Sequence, residues 1–290
     1  MSSEASTHPG DAPLHLDRLP SWDVYTLEVE ATERQRLGCL PSNALRGALG
    51  HEARRRGDDV VPRLLENGAP GSGLESATTG GPAAIVLSGP FDPRGHNLER
   101  GDTLRFSAAL VGEARSQAPT VIAMSRSALE RGLGLGSGPG RPALRLVRCV
   151  KRSSLPARLG RRCLVAFETP LLVRHAGREV VQPPIEVVWS ALLRRADGLA
   201  RAYGGGPICP RRRDVEPGFR GGWTTTEAQS VNRTSARQGR SMRWRGTTGV
   251  LDLEILDPPR VEPLLHVATD LGVGRGTAMG CGRVGVVPMD

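Results

Sequence analysis

The stretch Leu271-Gly-Val-Gly-Arg-Gly-Thr-Ala-Met-Gly-Cys-Gly-Arg-Val-Gly-Val286 carries six glycines, at 272, 274, 276, 280, 282 and 285, with Arg275 and Arg283 set among them. A backbone without Cβ atoms can take positive φ and approach a ligand closely, and the two guanidiniums add fixed positive charge. That combination suits a phosphate backbone. A nucleotide-hydrolase loop is excluded, because the Gly-Lys-Ser/Thr ending is absent and Arg283-Val-Gly-Val-Val287 reads as a short terminal strand. Upstream, Leu264, Leu265, Ala268 and Leu271 fall at helical spacing and run directly into the glycines.

Charge agrees with a polyanionic partner. The 290 residues carry a formal net charge of +9 and a pI near 10.4, nearly all of it from arginine, since Lys151 is the single lysine. Arginine grips phosphate with a two-pronged fork and stacks on bases, which suits RNA better than a membrane surface. The five cysteines, 39, 149, 163, 209 and 281, form no CxxC pair and fit neither a disulfide framework nor a zinc site. With a polar start and no apolar run near the roughly 20 residues that span a bilayer, the expectation is a cytoplasmic protein with no membrane partner.

Working back along the chain, residues 1–19 read as a polar, disordered lead. Trp22–Glu30 alternates as a strand, Ser42 or Asn43 is placed to cap a helix over Ala44–Arg56, and 57–82 reads as a loop. Ala84–Leu87 and Thr103–Gly112 read as strands around a Pro90–Asp102 turn, followed by a helix over Pro119–Leu133, a second glycine loop and a strand over Leu144–Val150. Strand, helix, two strands, helix, strand is a ferredoxin-like βαββαβ unit. After a basic stretch, Lys151 to Arg162, the plan repeats. Cys163–Phe167 opens it, Val187–Tyr203 is an amphipathic helix striped by Val188, Leu192, Ala196 and Leu199, and Val250–Ile255 alternates as a strand after a Gly246–Gly249 turn. The expected architecture is α+β: two tandem ferredoxin-like domains, 20–152 and 160–290, the second carrying the glycine-rich loop.

Several of these segments resemble the RAMP superfamily of CRISPR-associated RNA-binding proteins, in its repeat-processing endoribonuclease branch. The matching segments are Leu45-Arg-Gly-Ala-Leu-Gly50 on the first helix and the Gly-Asp turn at 101–102 before a strand ending in Gly112. Phe167-Glu-Thr-Pro-Leu171, Ser235-Ala-Arg-Gln238, Gly272-Val-Gly274 and Gly280-Cys-Gly-Arg283 complete them. The resemblance covers roughly residues 22 to 287. It implies cleavage of CRISPR repeat RNA, with the crRNA hairpin as partner and other effector-complex subunits as further partners, or, in an alternative reading, a non-catalytic subunit that only binds guide RNA.

The chemistry open to these residues is metal-independent. Acidic residues are dispersed without a DxD spacing, so no metal and no cofactor is expected. In RNA the ribose 2′-hydroxyl can attack the adjacent phosphate, leaving a 2′,3′-cyclic phosphate, given a base, an acid and a positive stabiliser. His51 is the first candidate for acid or base, Tyr25 for orienting the 2′-hydroxyl, and Arg46 and Arg55 for neutralising the phosphorane. His96, His175 and His266 compete with His51. The family's usual lysine beside the histidine is missing from the N-terminal half. Arg233, Arg237, Arg240, Arg243 and Arg245, with Gly274, Arg275, Gly280, Gly282 and Arg283, are expected to hold RNA, and Trp244 to stack a base or join the core.

Overall fold

Period-two alternation from Trp22 to Ala31 builds the central strand β1 (Trp22–Ala31), whose Leu27, Val29 and Ala31 are fully buried. The structure is a computed structural model describing residues 13–66, 81–133, 144–153, 159–209, 211, 215–235 and 240–289, with backbone alone at 233–235 and 240–242. Beside β1 lie β5 (Thr103–Val111) and β6 (Leu144–Arg152), with β3 (Ile85–Ser88) beyond β5, so the first sheet runs β3-β5-β1-β6 and is antiparallel throughout. Two helices, α1 (Pro41–Arg55) and α3 (Ala118–Glu130), cover one face, where Leu45, Leu49, Val121, Met124 and Leu129 meet Leu27, Phe106 and Leu110. The C-terminal half repeats this topology. Strands β7 (Arg162–Leu171), β10 (Phe219–Ser235), β11 (Arg240–Ile255) and β12 (Val284–Pro288) form an antiparallel sheet in the order β10-β11-β7-β12. Helices α4 (Ile185–Tyr203) and α5 (Pro258–Leu271) cover it over a core that includes Val165, Phe167, Trp189, Phe219 and Leu265. Both halves are thus ferredoxin-like.

The remaining face of the first sheet is not left to solvent. Val24, Val86, Ala109 and Val111 bury against Leu199 of α4 and Val267 and Leu271 of α5, so the second half's helices seat on the first half's sheet. This seam lies at the base of the glycine loop.

Several expectations are corrected by packing. Within the supposed disordered lead, Leu14, Leu16 and Leu19 pack on the C-terminal core, and the His15 amide donates to Ile208 O at 2.8 Å; residues 1–12 lie outside the described set. Helix α1 begins at Pro41 without a side-chain cap, because the Ser42 hydroxyl is used elsewhere. The 57–82 loop includes a short helix, α2 (Val60–Leu65), and the Pro90–Asp102 turn includes β4 (His96–Leu98), paired with β2 (Gln35–Leu37). Of the second glycine loop, Gly132–Gly140, residues 134–140 lie outside the described residues. Gly246–Gly249 is strand, not turn: a Cβ at Gly246 would stand 2.6 Å from Leu172 Cδ2, so glycine there permits close packing. Of Ser235-Ala-Arg-Gln238, Ser235 is the last residue of β10 and residues 236–238 lie outside the described residues.

Candidate nucleic-acid interface

Asp257 accepts from the Arg260 amide and Pro258 and Pro259 open the first turn of α5; the helix then stops at Gly272, φ 71°. From there the chain turns back on itself. Gly274, Gly276, Gly280 and Gly282 also take positive φ, and a Cβ at Gly282 would fall on the Val273 carbonyl oxygen. The Val273 amide donates to Gly282 O at 2.9 Å, the Gly282 amide to Pro170 O at 3.0 Å, and the Arg275 amide to Leu172 O at 2.8 Å. The Ser42 hydroxyl donates to Met279 O at 2.9 Å, tying the start of α1 to the loop. The glycines therefore serve close approach to the protein's own backbone. The loop is a hydrogen-bonded wall between the halves, with Gly280 and Gly282 buried and Arg275 on its surface.

Cations gather beside this wall on the C-terminal half. Arg275 stacks over Trp244 at 5.9 Å and reaches Glu179 at 3.8 Å. Burial and the neighbouring Arg174 hold the Arg275 guanidinium below its ordinary range, which places two cations side by side. Arg174 and Arg178 come from a small hairpin, β8 (Val173–His175) with β9 (Arg178–Val180), that the sequence reading missed. Its signal was present: Ala176-Gly177 takes positive φ as a two-residue hairpin turn requires. Arg243 and Arg245 are exposed on β11, and Arg233 and Arg240 lie on paired strands of the same hairpin. Arg237 lies outside the described residues. Trp244 is half-buried against Leu40, Leu172 and Cys281.

Of the N-terminal candidates, His51 and Arg55 stand one turn apart on α1. Tyr25 is half-buried on the helix-facing side of β1, between Ala108 and Lys151. Arg46 donates to Leu65 O, fastening α2 to α1. Arg55 pairs with Glu52 at 2.9 Å; Arg56 and Arg131 converge on the same buried carboxylate, and its pKa falls to about 2 as Arg55 hydrogen-bonds it. His51 is exposed, nine residues along α1 from Ser42, or about 14 Å at 1.5 Å per residue. His96, half-buried on β4, is held below the ordinary imidazole range by burial.

At the seam the structure assembles a cluster the sequence reading did not foresee. Asp270, on the last turn of α5, accepts from Trp22 Nε1 at 2.8 Å and pairs with Arg152 of β6. His266, one turn earlier, sets Nε2 3.1 Å from Asp270 Oδ2 and its ring 5.0 Å edge-on from Trp22. Burial, then Arg152, keeps its pKa below the usual imidazole value. Arg152 is also within electrostatic reach of Arg283 and Glu168, which themselves pair at 2.9 Å. These groups are contributed by β1, β6, α5 and the loop, so no single motif announces them. Among the described residues no three His, Cys, Asp or Glu side chains form a group that could hold a metal ion.

Comparison with known proteins places this geometry. Residues 165–284 match the family described as CRISPR-associated endoribonuclease Cas6, and residues 19–162 match a family described as an N-terminal domain. Residues 165–284 are thus similar to Cas6 endoribonucleases, and the chain shares the fold of solved Cas6 structures. Among solved structures, a Cas6 product complex superposes with a TM-score of 0.63 at 18% identity, covering 92% of this chain and 100% of that one. Thermus thermophilus Cas6 gives 0.56 at 16%, covering 92% and 99%. The product of a Cas6-related gene from Pyrococcus furiosus gives 0.57 at 11%, covering 93% and 100%. No curated protein matches this chain significantly. No helix among its described residues is long and apolar enough to cross a membrane.

Proposed function

We propose that this Cas6-type protein is a cytoplasmic endoribonuclease that cuts CRISPR repeat RNA into guide RNAs and stays on the product hairpin within an effector complex. The observation that carries the reading is the join of a cationic face, Arg174, Arg243, Arg245 and Arg275, to a glycine wall at the junction of two ferredoxin-like halves. Phosphates follow the arginines, and the wall presents a rigid edge against which one phosphodiester is aligned. Cleavage is by attack of the 2′-hydroxyl on its own phosphate, which needs RNA and no metal. Purified protein incubated with its repeat RNA in EDTA should yield a 2′,3′-cyclic phosphate and a 5′-hydroxyl end. Cutting that requires a divalent ion would overturn the mechanism. A second reading, a RAMP subunit that grips guide RNA without cutting, draws support from the engagement of Arg46 with Leu65 O and of Arg55 with Glu52, and from the absence of lysine before Lys151. Tight binding with intact RNA after prolonged incubation would favour it.

A further inference from the structure

We propose that His266, oriented by Asp270 and flanked by Arg152 and Arg283, accepts the proton in RNA cleavage by this chain; the inference rests on the endoribonuclease reading above. Nε2 is buried 3.1 Å from Asp270 Oδ2 while 30% of the side chain remains exposed, so Nδ1 is the nitrogen left to solvent. The ring cannot drift. Trp22 packs edge-on against it and donates its own N–H to Asp270, and Arg152 holds the other carboxylate oxygen. A carboxylate behind one imidazole nitrogen fixes the ring's orientation and steadies the imidazolium formed when the other nitrogen takes a proton.

The surroundings favour the state a base needs. The groups around His266 are Asp270 on its own helix, Trp22 from β1 and Arg152 from β6, with Arg283 and Glu168 beyond Arg152. Burial and the Arg152 cation disfavour a second positive charge on the ring, so the imidazole is neutral near pH 7. A water-sized cavity of about 10 Å³ beside Asp270 is lined by Gly272, Thr277, Gly280 and Arg283 from the loop and by Val86 and Ser88 from the first half. Arg283, partly exposed, lines this cavity together with Asp270, the partner of His266. His51, by contrast, stands exposed toward the far end of α1.

The step balances without a co-reactant. Nδ1 takes the 2′-hydroxyl proton, the O2′–P bond forms, the P–O5′ bond breaks, and the 5′-oxygen leaves as a hydroxyl after taking a proton from water; the imidazolium then returns its proton to the hydroxide that water leaves. Arg152 and Arg283 offset the extra negative charge of the phosphorane.

The test uses the full chain with His266→Ala, His266→Gln and His51→Ala in single-turnover cleavage of repeat RNA in EDTA. Affinity is measured separately on repeat RNA bearing a 2′-deoxyribose at the cut mapped with the unmodified protein. Both His266 variants should cut at least ~100-fold more slowly while binding the 2′-deoxy RNA within about 3-fold, and His51→Ala should cut within about 3-fold of normal. The unmodified protein's rate should rise with pH through a pKa below that of free imidazole, a limb missing from the residual rate of His266→Gln. Full-rate cleavage by His266→Gln, or loss of affinity in proportion to rate, would overturn the assignment while leaving the endoribonuclease reading intact. If the unmodified protein cuts nothing, both fall together.

Discussion

Gly282 and Gly101 share a positive φ, 71° and 94°, yet their surroundings differ sharply. A methyl group at Gly282 would strike the Val273 carbonyl, whereas nothing stands within 4 Å of one at Gly101. Gly101→Ala should cost about 1 kcal/mol from backbone strain alone, and Gly282→Ala about 3 kcal/mol or more, because the loop must also open. Thermal melts of the two variants check the order. Glu52 supplies a second residue-scale test. Its folded pKa, about 2, lies below the ordinary 4.5, so its contribution is present above about pH 4.5 and is lost as pH falls toward 2. Urea midpoints measured from pH 5 to 2.5 should fall more steeply for the unmodified protein than for Glu52→Gln. At neutral pH that variant should be about 1 to 3 kcal/mol less stable, since three arginines lose a buried acceptor.

At the scale of elements, local period was the reliable guide. Trp22–Glu30 and Thr103–Val111 alternate and are strands; Val188, Leu192, Ala196 and Leu199 recur at helical spacing and are buried on α4. Elements of three residues, such as β4 and β8, carry too few positions for a period to show, and long-range pairing makes them. The same limit misplaced the Gly246–Gly249 turn, where the sequence displays glycine but not the Leu172 side chain that glycine accommodates. The β10–β11 hairpin carries the element-scale prediction. Replacing Arg237, Arg240 and Arg243 together with Ala should weaken repeat-RNA binding and lower the slope of log affinity against log salt by about one per lost phosphate contact. An unchanged slope in a salt titration would remove the hairpin from the interface.

For the molecule as a whole, the decisive feature is the seam, where Leu271 is fully buried between α5 and the first sheet at the last residue before the glycine wall. Leu271→Ala should destabilise by about 2 to 5 kcal/mol and broaden or split the calorimetric transition, because the cavity lies where the halves cooperate. A single sharp transition at an unchanged temperature would show that the seam contributes little. Alternation, helical stripes and glycine spacing determined, from the sequence alone, two βαββαβ units and a glycine segment between the last helix and the last strand. Those features depend on neighbours within a few residues. What the glycines touch, and the meeting of Trp22, Arg152, His266 and Asp270, was decided only by tertiary structure. A periodic pattern tells which face of an element is apolar, but not which distant face will cover it; contacts more than 100 residues apart in the chain exist only once two sheets and their helices have docked.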